Sequence, residues 1–271
     1  MGPAAMPRRF THVGGVRTAY LDAGSGEPIV AIHGVPTSSE LFEPLLPALG
    51  EFRVMAPDLL GQGETETPPG LLGYAQYAAH LAAFLDAVAP PRFDLVVHDF
   101  GGLLGLDWAG RHPDRVRRLV VLSTTVTATV RWAALWAAIY GIELVGGAAA
   151  VRHTMVRIAK RPGAIPSDLA ERWARPWTRR RVLRGLDLLA PWRLRGVAER
   201  LAAVRAPALV VWGTRDDVFP PSHAEPLLEA LPGAELKLAP GAGHWSMLDA
   251  PEVVGDYLAT FLRDGRKQEM A

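Results

Sequence analysis

Apolar residues along this chain gather in short unbroken runs rather than in strict alternation. Such runs occur at Pro28–His33, Arg53–Ala56, Phe93–His98, Leu119–Leu122, Ala208–Trp212 and Glu235–Leu238, and they are rich in Val, Ile and Leu. A strand covered on one face alternates; an unbroken run suits a strand buried on both faces, as in a parallel sheet. Between the runs, helical spacing predicts helices over Tyr74–Val88, Gly102–His112, Ser222–Leu231 and Pro251–Leu262. Strands and helices taking turns predict a doubly wound, mostly parallel α/β sheet. The alternation stops between Thr124 and Arg205, where helical segments rich in Trp and Arg follow one another. That block predicts a helical cap over 124–205, inserted after the sixth core strand. It divides the core into a first part, 1–123, and a second part, 206–271, which restarts at Ala206-Pro207.

Composition narrows the function classes. The 271 residues are enough for one core with one excursion. Lys plus Arg total 29 against 28 for Asp plus Glu, a formal charge of +1, which argues against a polyanion-binding surface and against nucleic acid as a partner. The absence of Cys rules out disulfides, thiolate metal sites and a Cys nucleophile, and is compatible with a reducing cytoplasm. Met1 to Phe10 carries Arg8 and Arg9 with no apolar core behind them, so it does not read as a secretory signal and the cytoplasm is the expected location. The most apolar stretch, Val126 to Val151, is interrupted by Arg131 and Glu143 and loosened by Gly141, Gly146 and Gly147, which favours packed apolar helices over a membrane span.

Four motifs fall at predicted strand ends. Leu95-Val96-Val97-His98-Asp99-Phe100-Gly101-Gly102 is a buried strand running into small residues and then a helix. This is the setting of a sharp turn that projects its central residue, Asp99, into a site. By itself the same Asp also reads as an ordinary helix N-cap. His33-Gly34-Val35-Pro36 follows an earlier strand and places the Val35 N–H beside that of Phe100 as an oxyanion-binding pair, although Gly34 and Pro36 also suit a plain turn. Val210-Val211-Trp212-Gly213-Thr214-Arg215-Asp216-Asp217 ends a strand in two carboxylates, and Gly241-Ala242-Gly243-His244-Trp245 follows the last strand. The chain order is nucleophile, acid, histidine: Asp99, Asp216, His244. His98, next to Asp99, faces away along the pleat and reads as structural.

In these motifs the chain resembles the α/β-hydrolase superfamily, specifically its haloalkane dehalogenases and epoxide hydrolases. The likeness runs from Phe10 to Leu262 and includes Ala56-Pro57-Asp58-Leu59 with Gly61-Gln62-Gly63. Asp216, three residues past Gly213, matches the family's acid better than Asp217. The resemblance implies an α/β-hydrolase fold acting on a small apolar molecule without metal or cofactor. A carboxylate attacking an ester carbonyl would give a labile anhydride. Attack on an sp³ carbon instead displaces an alkoxide or halide and leaves an ordinary ester, so an epoxide or alkyl halide is the expected substrate.

The two substrate classes make different demands. Dehalogenases that the chain resembles hold the halide with side-chain N–H donors, where this sequence has Val35 and Phe100, which have none. Trp132, Trp136, Trp173, Trp177 and Trp192 of the cap are possible substitutes. Resembling epoxide hydrolases supply an acid, usually two cap tyrosines; here the cap offers Tyr140, with His153 beside it as a second candidate acid. The balance favours an epoxide hydrolase, with a haloalkane dehalogenase-like hydrolase as the alternative and a non-catalytic ligand-binding protein as the reading from another class. Leu135, Trp136, Ile139 and Met155 are the candidate pocket lining. The oligomeric state is left open.

Overall fold

The computed structural model describes residues 8–68, 73–127, 146–176 and 196–269. The chain opens with β1 (Arg8–Val13), β2 (Val16–Ala23), β3 (Glu27–Ile32), β4 (Phe52–Pro57), α1 (Tyr74–Val88), β5 (Phe93–His98), α2 (Asp99–Arg111) and β6 (Val116–Leu122). Between β6 and β7 (Ala208–Gly213), the described residues include α3 over 146–158, α4 (Ser167–Ala174) and α5 (Val197–Leu201). After β7 come α6 (Ala224–Ala230), β8 (Glu235–Ala239), α7 (Ser246–Asp249) and α8 (Pro251–Glu269).

The eight strands form one sheet in the order β1-β2-β4-β3-β5-β6-β7-β8. The β1–β2 and β2–β4 pairs are antiparallel and all others parallel. The unbroken apolar runs at the sheet centre have the predicted cause: every residue of β5 and β7 is buried. α2 rests on β3, β5 and β6, and α1 packs on α2, whereas α7 and α8 pack with the turn at Ser39–Leu45 and α8 reaches β6, β7 and β8. α1 joins this arrangement through one face, with Tyr74, Tyr77, Leu81, Phe84 and Leu85 buried at helical spacing.

The six sequence-read strands all exist, five within one residue of their expected ends, while β6 begins at Val116, three residues before the expected Leu119. Three expectations need adjustment. The hairpin β1–β2 was not foreseen. α2 begins at Asp99 instead of Gly102, because the nucleophile candidate is itself the first helical residue. α8 continues to Glu269, past the expected Leu262. Among the described residues no helix is long and apolar enough to cross a membrane.

A second buried polar group lies at the start of β5. Asp94 accepts from Arg117 through Nε at 3.0 Å and Nη2 at 2.8 Å, and Arg118 stands 3.3 Å from each carboxylate oxygen. Glu27 pairs with Arg117 at 3.1 Å.

Candidate active site

Parallel strands bring their C-terminal ends to one edge of the sheet, and the four motifs meet there. At the β5–α2 junction Asp99 has φ +49°, in the left-handed region that L-residues with side chains rarely occupy, at a cost of about 1–2 kcal/mol. The turn is pinned from the end of β6, where the Thr124 hydroxyl donates to the Asp99 carbonyl at 2.7 Å. Gly34 is required opposite: a Cβ there would come 2.2 Å from Asp99 Oδ2.

That close approach lets the Val35 N–H donate to Asp99 Oδ2 at 2.9 Å. The Phe100 N–H also bonds to the carboxylate and helps to hold it charged. Both N–H groups expected from the sequence therefore meet the Asp99 carboxylate. His33 orients their loop. Its Nε2 accepts the Leu59 N–H at 3.0 Å, which leaves the proton on Nδ1 to donate to the Gly34 carbonyl at 2.7 Å. Asp58 fixes the continuation of the loop, accepting from the Ser39 N–H at 2.8 Å and from the Glu64 N–H at 2.9 Å.

His244 stands between two carboxylates. Its Nδ1 is 3.1 Å from Asp216 Oδ2 and its Nε2 is 3.7 Å from Asp99 Oδ1. The other oxygen of Asp216 accepts the N–H groups of Val218 and Phe219, each at 2.9 Å, so this carboxylate is held from both sides. Asp216 is thus the aspartate that meets the histidine, while Asp217 turns outward and pairs with Lys160. Asp99, His244 and Asp216 are all buried.

Burial works against the charged form of His244. The charge and hydrogen bond of Asp216, joined by Asp99, override it and push the ring up to about 10. Burial likewise disfavours the Asp99 carboxylate, but the hydrogen bond and charge of His244, with the Phe100 N–H, outweigh it and hold this carboxyl below the usual range. His98 does not face away from the site as the pleat suggested but packs against His244. Its Nε2 donates to the His244 carbonyl at 3.1 Å and its ring lies 4.8 Å from the His244 ring. Burial pushes His98 down to about 3, so it stays neutral beside its partner.

The cap candidates fare differently. Tyr140, Trp136, Ile139 and Leu135 lie outside the described residues, as do Trp132, Trp177 and Trp192. His153 is exposed on α3, two residues from buried Val151 and Met155 and so on the opposite face of the helix; the structure does not bring it to the triad. Trp173 is buried, but its indole N–H donates to Ser38 Oγ at 2.9 Å and to Glu40 at 3.1 Å, which engages it away from any halide. The Phe100 ring packs edge-on against Tyr77 at 5.4 Å.

A family model described as "Alpha/beta hydrolase family" matches residues 29–256, and the chain belongs to that family. A 2-hydroxy-6-oxo-2,4-heptadienoate hydrolase from Pseudomonas putida is 30% identical over 267 residues, covering 93% of this chain and 96% of that protein. A haloalkane dehalogenase from Sphingobium indicum is 39% identical over 132 residues, covering 46% of this chain and 44% of that one. Among solved structures, a loop variant of the haloalkane dehalogenase DbeA from Bradyrhizobium elkanii superimposes with a TM-score of 0.82 at 20% identity, covering 97% of this chain and 98% of that one, a likeness of fold.

Proposed function

We propose that the protein hydrolyses a small apolar substrate at an electrophilic sp³ carbon through a covalent ester on Asp99, and that the substrate is an epoxide. The observation that carries this reading is the placement of the Asp99 carboxylate, with Oδ2 against the Val35 N–H at 2.9 Å and Oδ1 toward His244 at 3.7 Å. With its own oxygen in the oxyanion-binding position, Asp99 is set to attack carbon and then to be attacked.

In the first step Oδ1 bonds to the substrate carbon, and the carbon–oxygen bond of the epoxide breaks, leaving an alkoxide that must be protonated. The cap, taken as 124–205, supplies Tyr140 as the acid. Esterification then removes the negative charge of Asp99, one of the two carboxylates that hold His244 protonated. The ring's affinity for its proton falls, and once neutral it can take a proton from water attacking Cγ. The developing oxyanion on Oδ2 already lies at the Val35 N–H, with the Phe100 N–H on the same carboxylate, and losing one such donor in comparable sites costs about 3 kcal/mol. Collapse breaks the Cγ–Oδ1 bond as the ring gives the proton taken from water to the departing product oxygen; the water's second proton passes from the re-formed Asp99 carboxyl to His244, and the proton that His244 shed after esterification restores the Tyr140 phenol.

The epoxide is favoured because neither Val35 nor Phe100 has a side-chain donor for a halide and the Trp173 indole is engaged elsewhere. The haloalkane dehalogenase reading stands second, on the likeness to the Sphingobium indicum enzyme over half the chain. His244→Gln tests the scheme: alkylation of Asp99 needs no base, whereas ester hydrolysis does. Incubated with matched epoxides and haloalkanes, this variant should gain one substrate mass from the epoxide, as read by intact-mass spectrometry. A variant that binds substrate and never gains mass from either class would overturn the covalent route and favour a ligand-binding protein. Mass gained from the haloalkane alone would establish the second reading.

A further inference from the structure

The segment that leaves α3 touches both loops of the acid–base pair. Lys160 pairs with Asp217, beside Asp216, and the Arg161 guanidinium donates to the Leu248 carbonyl at 3.0 and 2.6 Å. Asp249 joins the segment to the histidine loop. Its Oδ1 accepts the N–H groups of Lys160 at 2.8 Å and Arg161 at 2.9 Å, and its Oδ2 accepts the Gly243 N–H at 2.8 Å. Gly243 immediately precedes His244. The fit is close: a Cβ on Gly243 would come 2.8 Å from Lys160 Cγ, 3.0 Å from the Ile158 carbonyl oxygen and 3.2 Å from Asp249 Oδ2.

We propose that Asp249 is a positioning residue that clamps the segment 158–161 to the His244 loop, so that the placement of this segment sets the alignment of His244 with Asp216 and Asp99. Three N–H groups from two distant parts of the chain converge on one side chain, and only a carboxylate meets them with acceptors alone. An Asn in its place turns an NH₂ group toward at least one of the three. Because His244 acts on water only after the ester has formed, the clamp bears on the second half of the reaction. Its kinetic part rests on the proposed ester mechanism.

The test compares the half-reactions in Asp249→Asn and, independently, in Gly243→Ala, whose added methyl presses on the same contact. The expected result is ester hydrolysis slowed by about 10²-fold, the scale of a misplacement of about 1 Å, with alkylation preserved and the ester accumulating by intact mass. NMR titration should show the His244 ring falling toward the ordinary histidine value as its alignment with Asp216 loosens. Equal slowing of both half-reactions, or an unchanged His244 titration in both variants, would overturn the proposal and leave Asp249 an ordinary structural contact. If His244→Gln never traps an ester, the ester mechanism fails, but the titration still decides whether Asp249 positions the ring. Should Asp249→Asn not fold, Gly243→Ala carries the same two readouts.

Discussion

A buried aspartate lies by each end of β5, and the two are kept in opposite ways. Asp94, at the base of the sheet, faces Arg117 in two-pronged contact at 3.0 and 2.8 Å, with Arg118 at 3.3 Å. Guanidinium groups do not lose their protons in proteins, so this charge is neutralised permanently. Asp99, at the other end, has the Val35 N–H on one oxygen and an imidazole at 3.7 Å from the other. His244, the charged group facing that second oxygen, is one that can change its charge. The same residue type at opposite ends of one strand is structural where its partners are fixed and is available for chemistry where they are not.

Exchanging the effects of the two aspartates would break this contrast. Asp99→Ala should lower turnover by about 10⁴-fold or more while leaving thermal stability nearly unchanged. Asp94→Ala should do the reverse. It removes the buried carboxylate that Arg117 and Arg118 share, leaving Glu27 beside them, and should cost about 3–5 kcal/mol in denaturant unfolding, with kcat of the surviving folded protein little altered. Loss of turnover from Asp94→Ala without loss of stability would erase the distinction.

A smaller effect sharpens it. His244 titrates at about 10 in the folded protein, against about 6.5 when unfolded. Between those values the folded state binds the extra proton. The stability from its charged contacts is therefore complete below about 6.5 and is lost as pH rises through about 10. Melting temperature should fall across that window in the wild type, and the fall should be shallower in His244→Gln. The guanidinium groups around Asp94 contribute no slope there, since they keep their protons throughout the window.

What was legible in the sequence follows the same physical division. β3 to β7 are buried on both faces, and an apolar run is the direct record of that burial. β1 escaped because it is an edge strand: Arg9 and Phe10 are exposed and its pattern blurs. The signal that would have found the hairpin was Gly14-Gly15 between Val13 and Val16, where both glycines take positive φ. Asp99, Asp216 and His244 were readable because each sits just past a strand in a turn of small residues, and the parallel sheet brings such turns together. Asp249 carries no comparable mark. Its partners lie 88 and 89 positions away along the chain, and nothing local distinguishes it from a helix-end carboxylate. His33 and His98 likewise acquire their parts only through carbonyls and N–H groups supplied by the fold.

The two-sided hold on the Asp99 carboxylate also decides which oxygen atom leaves with the product. Under the proposed reaction Oδ1 departs bonded to the substrate carbon, and the oxygen of the attacking water takes its place, while Oδ2 stays at the Val35 N–H. In water enriched in oxygen-18, the first turnover of each enzyme molecule therefore releases product with an unlabelled oxygen drawn from the protein itself. What happens next depends on whether the N–H pair keeps its grip. If Oδ2 never exchanges places, the newly acquired heavy oxygen faces the substrate and leaves in full at the second turnover; a carboxylate that rotates between cycles would release it in only half of the molecules. Isotope content counted turnover by turnover thus turns one hydrogen bond into a clock for the rotation of a single side chain.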